Sequence, residues 1–358
     1  MTEKRRNEAG GQSPAFAGAA EKARPVKRTV KFSRNARNVF LHLLTQCNLR
    51  CRHCYINPAQ HGRNILSVAT VEQWLAALAR PDAETNVVFL GGEPTLHPDL
   101  SRAVRAARSL GYASVTIDTN GYLFHDILDK VTPGEVDALS FSLDGPEPSV
   151  NDPLRGAGSF AACVAGMEKA AEKGFRLSAI FTAGEHNLES LGKMPELLAG
   201  LGVSRFFIQV IGLRGSAAKT PETIRQVERE RWEILIPMAA EKAAGLGLTA
   251  VYPKVYLRPG EKFECAGNVA DNTFIFPNGR VYRCPLCEDY PLHSQRFFRG
   301  RLQNRRGITE RELFRLDIPE GCVMNRLVQP GNVSYGRDGK PLLRIACCML
   351  KEEISPAR

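Results

Sequence analysis

The sequence lacks any apolar run long enough to cross a bilayer; its longest, such as Val87 to Leu90 and Phe206 to Ile211, fall far short of the ~20 residues a spanning helix needs. A secretory signal is missing too, because the opening MTEKRRNEAGGQSPAFAGAA has no continuous apolar stretch, and a cytoplasmic location is expected. Net charge is nearly absent from the body of the chain, where basic and acidic side chains almost balance. Residues 1–37 carry ten Lys/Arg against three Glu, most of the net +10 of the 358 residues. A Gly/Ala/Ser-rich basic tail of this kind is expected to be solvated disorder, which argues against a nucleic-acid partner. No repeat is present beyond a recurring strand–helix period.

What remains is an ordinary globular composition, 43% hydrophobic and 24% charged, with ten cysteines. Cytosolic thiols are kept reduced and rarely pair, so cysteines in this number point to metal or catalysis. Their positions are uneven: 47, 51 and 54 stand close together, 163 stands alone, and 265, 284, 287, 322, 347 and 348 crowd the last third. Cys163, beside Ala161, Ala162 and Val164, reads as a buried structural thiol.

From residue 38 to 212, short β-branched runs alternate with amphipathic stretches, the pattern of a parallel α/β sheet. Strands are expected at Val39–Leu44, Val87–Leu90, Ser114–Asp118, Ala138–Leu143, Leu177–Thr182 and Arg205–Ile211. Helices are expected at Val68–Ala79, Leu100–Leu110, Phe124–Lys130, Phe160–Lys173 and Leu188–Leu201, then a long one over Glu222–Ala244 kinked at Pro237. Six strands suit an open, partial (β/α)6 TIM-like barrel, in which chemistry gathers on the loops after the strands. After Leu248 cysteine, glycine and proline become frequent, and residues 272–283 read as a hairpin turning at Asn278-Gly279. The expected division is a disordered tail at 1–37, a barrel at 38–247 and a small cysteine-rich α+β domain at 248–358.

Cys47, Cys51 and Cys54 lie in TQCNLRCRHCY, on the loop after the first strand. Three thiolates so close can hold three irons of a [4Fe-4S] cube and leave the fourth open to a small ligand. Zinc is the alternative, although it prefers ligands in two separated pairs, and His53 as a fourth ligand has awkward geometry between Cys51 and Cys54. Gly91-Gly92-Glu93-Pro94 closes the second strand; two glycines permit close approach of a ligand, and Glu93 offers a carboxylate to an ammonium group.

Together these strings resemble the radical SAM superfamily, whose signature is a three-cysteine loop followed by a methionine-binding GGEP. The resemblance covers about residues 38–348 and implies that Cys47, Cys51 and Cys54 hold a cluster that cleaves S-adenosylmethionine to a 5′-deoxyadenosyl radical. It further implies cofactor contacts from Tyr55, Gly91, Gly92, Glu93 and Pro94, and from Thr119, Asn120, Ser142 and Asp144 at later strand ends. Asn151-Asp152-Pro153-Leu154-Arg155-Gly156 looks like the family's His-Asp-x-x-Arg-Gly segment with Asn151 replacing histidine, and Arg155 is expected to pair with a cofactor carboxylate.

Cys265, Gly279, Cys284 and Cys287 resemble the spacing of the family's twitch or SPASM domain, which holds an auxiliary [4Fe-4S] cluster. A zinc ribbon is the alternative for Cys284-x2-Cys287. The fourth ligand must be Cys322, Cys347 or Cys348; adjacent residues of an extended segment point to opposite sides, and Cys347 is favoured. The implied activity is that of a radical SAM oxidoreductase or maturase, supplied with electrons by a donor such as flavodoxin or ferredoxin. A peptide is the leading substrate, with a small molecule or tetrapyrrole as alternative, and a non-catalytic iron–sulfur or zinc protein as the alternative of another class. Family members that oxidise a peptide Ser or Cys often carry Asp where Pro285 stands, which disfavours that reaction.

Overall fold

The computed structural model describes residues 25–80, 82–219 and 223–357. Eight strands precede the cysteine-rich region: β1 (Val26–Val30), β2 (Ala36–His42), β3 (Glu84–Leu90), β4 (Ser114–Thr119), β5 (Ala138–Ser142), β6 (Leu177–Ala183), β7 (Val203–Val210) and β8 (Thr249–Pro253). From β2 to β7 each strand pairs in parallel with the next, so the six expected strands form one sheet in chain order. Val39, Leu41, Val87, Phe89, Val115, Ile117, Leu139, Phe141, Ala179 and Phe181 are completely buried. That burial, at alternate positions, fixes the strand register, since a slip of one residue would move every one of these side chains to the other face.

Helices cross back between the strands, as parallel pairing requires. Val68–Leu78 starts at Ser67, whose hydroxyl accepts from Thr70 N, and Leu100–Ser109, Ser159–Glu172 and Met194–Gly200 follow. Two expected helices are shorter. Only Ile127–Lys130 of Phe124–Lys130 is α-helical, because Leu123, His125 and Asp126 take left-handed φ of 53°, 57° and 50°. Leu188–Lys193 is a 3-10 turn, and the α-helix starts beyond it with Pro195 in its first turn. The long helix also starts later than expected, running over Arg229–Gly245 with Pro237 inside; residues 223–228 are not helical, and Glu222 lies outside the described residues.

The sheet stays open, and the six-stranded parallel run is extended by further strands at both ends. The remaining strands are β9 (Tyr256–Leu257), β10 (Asp271–Ile275), β11 (Arg280–Tyr282), β12 (Gln295–Phe298), β13 (Arg301–Asn304), β14 (Arg344–Ile345) and β15 (Lys351–Ser355). Among the described residues the main sheet has thirteen strands in the order β1-β15-β8-β7-β6-β5-β4-β3-β2-β10-β11-β12-β13. The expected hairpin is β10–β11, with Gly279 at φ 81° in its turn.

Two expectations change here. Residues 26–30 of the expected disordered tail form β1, paired antiparallel with β15, while residues 1–24 lie outside the described residues. The cause is visible in Glu353 on β15, a buried carboxylate held by Arg28 at 2.7 Å and by Arg205 of β7 at 2.6 Å. Nor does the C-terminal region stand apart: β8 begins just past the expected boundary and pairs with β7, and β10 lies parallel to β2. Unpaired backbone groups on a sheet edge invite association, and these strands satisfy them within the chain. Phe40 of β2 stacks on Phe274 of β10 with centroids 4.5 Å apart, and Trp74 stacks on Phe297 at 4.3 Å.

Replacing Phe274 with Ala is expected to lower unfolding stability by about 3–5 kcal/mol, since a buried ring at the β2–β10 junction is lost. Denaturant unfolding of the apoprotein checks this, and a loss below about 1 kcal/mol would mean the junction does not depend on that stack.

Candidate active site

The loop after β2 is shaped by its neighbours. Gly92 N donates to Leu44 O and Glu93 N to Gln46 O, each at 3.0 Å. A Cβ on Gly92 would fall 2.0 Å from Gln46 O, and one on Gly91 would fall 2.7 Å from Leu44 O. The two glycines therefore let the exit of β3 press against the cysteine loop, a different contact from the ligand approach read from the sequence. Further along, Arg52 N donates to Leu154 O at 2.8 Å, the Cys51 thiol to Arg155 O at 3.7 Å, and Ser216 N to Cys54 O at 2.8 Å. Segments following β3, β5 and β7 thus fix the loop that carries Cys47, Cys51 and Cys54.

All three are free thiols, Cys47 exposed and the other two partly buried. Although Cys47 is open to solvent on one side, desolvation by the atoms packed around its sulfur, reinforced by the neighbouring thiols, pushes it up to about 12, and burial pushes Cys51 up to about 11. Such thiols stay protonated until a cation supplies the positive field that ionises them. No three His, Cys, Asp or Glu side chains among the described residues close around a single ion. Thiolates of a cube bind different irons, and the set fits that group.

Glu93 is 1% exposed and fully engaged. Its Oε1 accepts from Thr95 N (3.1 Å), Thr95 Oγ1 (2.6 Å) and Thr119 Oγ1 (2.8 Å), and its Oε2 from Asn120 N (2.7 Å). Burial raises its pKa, while these bonds act in the opposite direction. Pro94 starts the 3-10 turn Pro94–Leu96 that presents Thr95. Asn120 Nδ2 donates to Asn48 Oδ1 at 2.8 Å and lies 3.8 Å from Cys47 Sγ, so Glu93 and Asn120 carry the order of β4 into the cysteine loop. Asp118, one residue before Thr119, is pushed up to about 7, chiefly by desolvation, well above the usual carboxylate range.

Several residues expected at this site have partners within the protein. Arg155 pairs inside the protein, its Nε 2.6 Å from Asp144 Oδ2. Asp144 is completely buried and accepts from Thr182 N at 2.7 Å; burial would raise its pKa, but Arg155 and His53 hold it well below the usual carboxylate range. His53, weighed as a metal ligand, has its Nε2 3.1 Å from Asp144 Oδ2. Tyr55 shares a 2.7 Å hydrogen bond with His42 Nε2 and lies beneath Arg214, whose Cζ is 5.5 Å from the ring centroid. Ser142 takes part through its carbonyl, which accepts from the Cys163 thiol at 3.6 Å. Asn151, which departs from the family pattern, accepts from Asp144 N at 2.9 Å and donates to Ser159 Oγ at 2.9 Å.

Asp144 Oδ2 thus has both Arg155 Nε and His53 Nε2 against it, whereas His53 Nδ1 is buried without a hydrogen-bond partner. Such an atom costs about 1–3 kcal/mol, which a polar ligand beside the cysteines would recover. A sequence pattern reveals residue types and not these internal pairings, so neither the His53–Asp144 contact nor the burial of Asp118 was visible from it.

The rear cysteines converge more fully than spacing implied. Cys265, Cys284, Cys322, Cys347 and Cys348 line one cavity, and Cys287 sits in thiol contact with Cys284. Cys347 and Cys348 both reach it because residues 347–350 form a turn, closed by Leu350 N to Cys347 O at 2.9 Å, where an extended segment was expected. Burial pushes Cys265 up to about 11 and Cys322 to about 12.

Residues 42–209 match the model of the Radical SAM superfamily. Among relatives, a probable GTP 3′,8-cyclase of Saccharolobus solfataricus is 26% identical over 270 residues, covering 72% of this chain and 86% of the relative. A pre-heme d1 synthase of Dinoroseobacter shibae is 28% identical over 214 residues, covering 58% and 52%. Among solved structures, Streptococcus suis SuiB bound to S-adenosylmethionine aligns with a TM-score of 0.60 at 16% identity, covering 83% of this chain and 66% of that one. The protein anSMEcpe with bound AdoMet aligns with a TM-score of 0.56 at 14% identity, covering 84% and 85%. These two likenesses are of fold.

Asp144→Asn leaves the buried Arg155 uncompensated and is expected to cost about 3–5 kcal/mol of unfolding stability near neutral pH. Because the folded-state pKa of Asp144 is depressed, its contribution is present above about pH 4 and fades as pH falls below that, so the gap between wild type and variant should narrow in acid. Denaturant unfolding at neutral and acid pH checks both; a gap that widens in acid would refute the assignment.

Proposed function

Because this chain is an enzyme of the radical SAM superfamily, we propose that Cys47, Cys51 and Cys54 hold a [4Fe-4S] cluster that leaves one iron open to S-adenosylmethionine, and that the substrate is a small molecule. When bound, these cofactors supply one-electron cleavage of the sulfonium to methionine and a 5′-deoxyadenosyl radical, which abstracts hydrogen from the substrate.

The chain's own part is positioning. Glu93 holds the exits of β3 and β4 together, with Asn120 against Cys47, so that a methionine ammonium and carboxylate meet a preformed surface. His53 brings a buried ring nitrogen without a hydrogen-bond partner beside the cysteines, which suits a polar edge of a nucleoside. The rear cysteines hold a second, auxiliary [4Fe-4S] cluster on this reading, in a cavity with more than enough thiols to complete it. Electrons come from a reduced carrier such as flavodoxin or ferredoxin. Ten free cysteines suit a reducing cytoplasm, and no helix among the described residues is long and apolar enough to cross a membrane.

The names of the sequence relatives, a nucleotide cyclase and a tetrapyrrole synthase, favour a small heterocyclic substrate over the peptide expected from the architecture. The peptide reading keeps one observation in its favour, the likeness of fold to SuiB solved with its precursor peptide SuiA, at TM-score 0.58 and 14% identity. The observation that carries the proposal is the three-cysteine loop clasped by Glu93 and Asn120.

Anaerobically reconstituted protein with dithionite and S-adenosylmethionine is expected to release 5′-deoxyadenosine, and Cys51→Ala to release none. Release should rise with a nucleotide or tetrapyrrole in the reaction. Equal release from the variant would overturn the site assignment, and stimulation by peptides alone would overturn the substrate class.

A further inference from the structure

The segment after β7 is wedged between the two groups of cysteines. Gly215, at φ 54°, packs so tightly that a Cβ there would stand 2.5 Å from Cys54 O and 2.6 Å from Tyr55 O. The preceding residue, Arg214, extends to the other side. Its Nη1 donates to Pro285 O and, at 3.0 Å, to Glu288 Oε2, while its guanidinium covers the Tyr55 ring. Pro285 directly follows Cys284, and Glu288 directly follows Cys287. Both side chains are buried, Arg214 at 11% and Glu288 at 3% exposure.

The surroundings are largely aromatic, with Asp289 and Arg280 the other charged groups acting on them. His42 and His61 both stack on the Phe276 ring, each with centroids 3.9 Å apart, and burial lowers them to about 3 and about 4, so both are neutral at neutral pH. His61 Nε2 meets Glu288 O at 3.2 Å. A buried ion pair in such a setting is a poor source of stability, since desolvation offsets its attraction. Its charges do, however, act strongly on whatever lies beside them.

We propose that Arg214 and Glu288 are a positioning pair that fixes the rear cysteine turn against the front cysteine loop and balances the reduction potential of the rear cluster. The inference rests on the reading that both cysteine groups hold iron–sulfur clusters. A reduced cluster is more negative than an oxidised one, so the Arg214 cation favours reduction, and the Glu288 carboxylate, which burial pushes up to about 7 against the pull of Arg214, opposes it when the titration is run above that pH. A purely structural pair would give potentials that do not follow the sign of the charge removed.

The test is potentiometric titration of the full, reconstituted protein followed by electron paramagnetic resonance, with iron content measured on each sample. R214M is expected to lower the midpoint potential of the rear cluster and E288Q to raise it, each by about a tenfold change in the reduced-to-oxidised ratio, or 59 mV for one electron. R214M/E288Q should return close to wild type, and R214K, which keeps the charge, should lie nearer wild type than R214M. If R214M fails to load iron, E288Q and the double variant still carry the sign test. Shifts of the same sign, or none, in proteins holding about eight irons would overturn the pairing role. About four irons in the wild type, all at the front site, would instead remove the two-cluster reading and the proposal with it.

Discussion

The arrangement depends on the carboxylate of Glu93. Buried at the exit of β3, it accepts four hydrogen bonds from Thr95, Thr119 and Asn120 and so joins two neighbouring strand ends into one rigid surface. Its own backbone N–H reaches back to Gln46, immediately before the first cysteine. A carboxylate without those donors would be costly to bury, and a donor set without the carboxylate would be unsatisfied. The glycines before it matter for the same reason, since any side chain at Gly92 would collide with the backbone of the cysteine loop. A reactive loop is held in place here by the sheet's own hydrogen bonds.

A second constraint comes from the sheet edges. A run of six parallel strands that does not close leaves two rows of unpaired backbone groups. The C-terminal part of the chain covers both, with β8 and β15 beyond β7 and with β10 beyond β2. Covering the β2 edge also brings the β10–β11 hairpin, and with it Cys284 and Cys287, to the strand that leads into the front cysteines. The closeness of the two cysteine groups is therefore a consequence of edge protection, and Arg214 and Glu288 occupy the seam it creates.

The parallel strands were legible because buried β-branched and aromatic residues recur with a strict period; all six lie within a few residues of their expected positions. The front motif was legible because its residues are close in sequence. Pairings between distant residues were not. Arg155 and Asp144 both had the chemistry of ligand contacts, and only the fold reveals that they meet each other. Tyr55 follows the cysteines in sequence, yet its hydroxyl is taken by His42. Cys347 and Cys348 were separated by assuming an extended backbone where the chain turns, and β1 was hidden in a basic stretch because its partner lies more than 320 residues away.

Electron paramagnetic resonance of the reduced, reconstituted protein tests the central claim most directly, that the front cysteines hold a cluster with an open iron. Adding S-adenosylmethionine should alter one cluster signal and leave another unchanged, and replacing Cys47, Cys51 and Cys54 together with Ala should abolish the responsive signal alone. Protein that contains zinc and no iron, or whose signals all ignore S-adenosylmethionine, would contradict it.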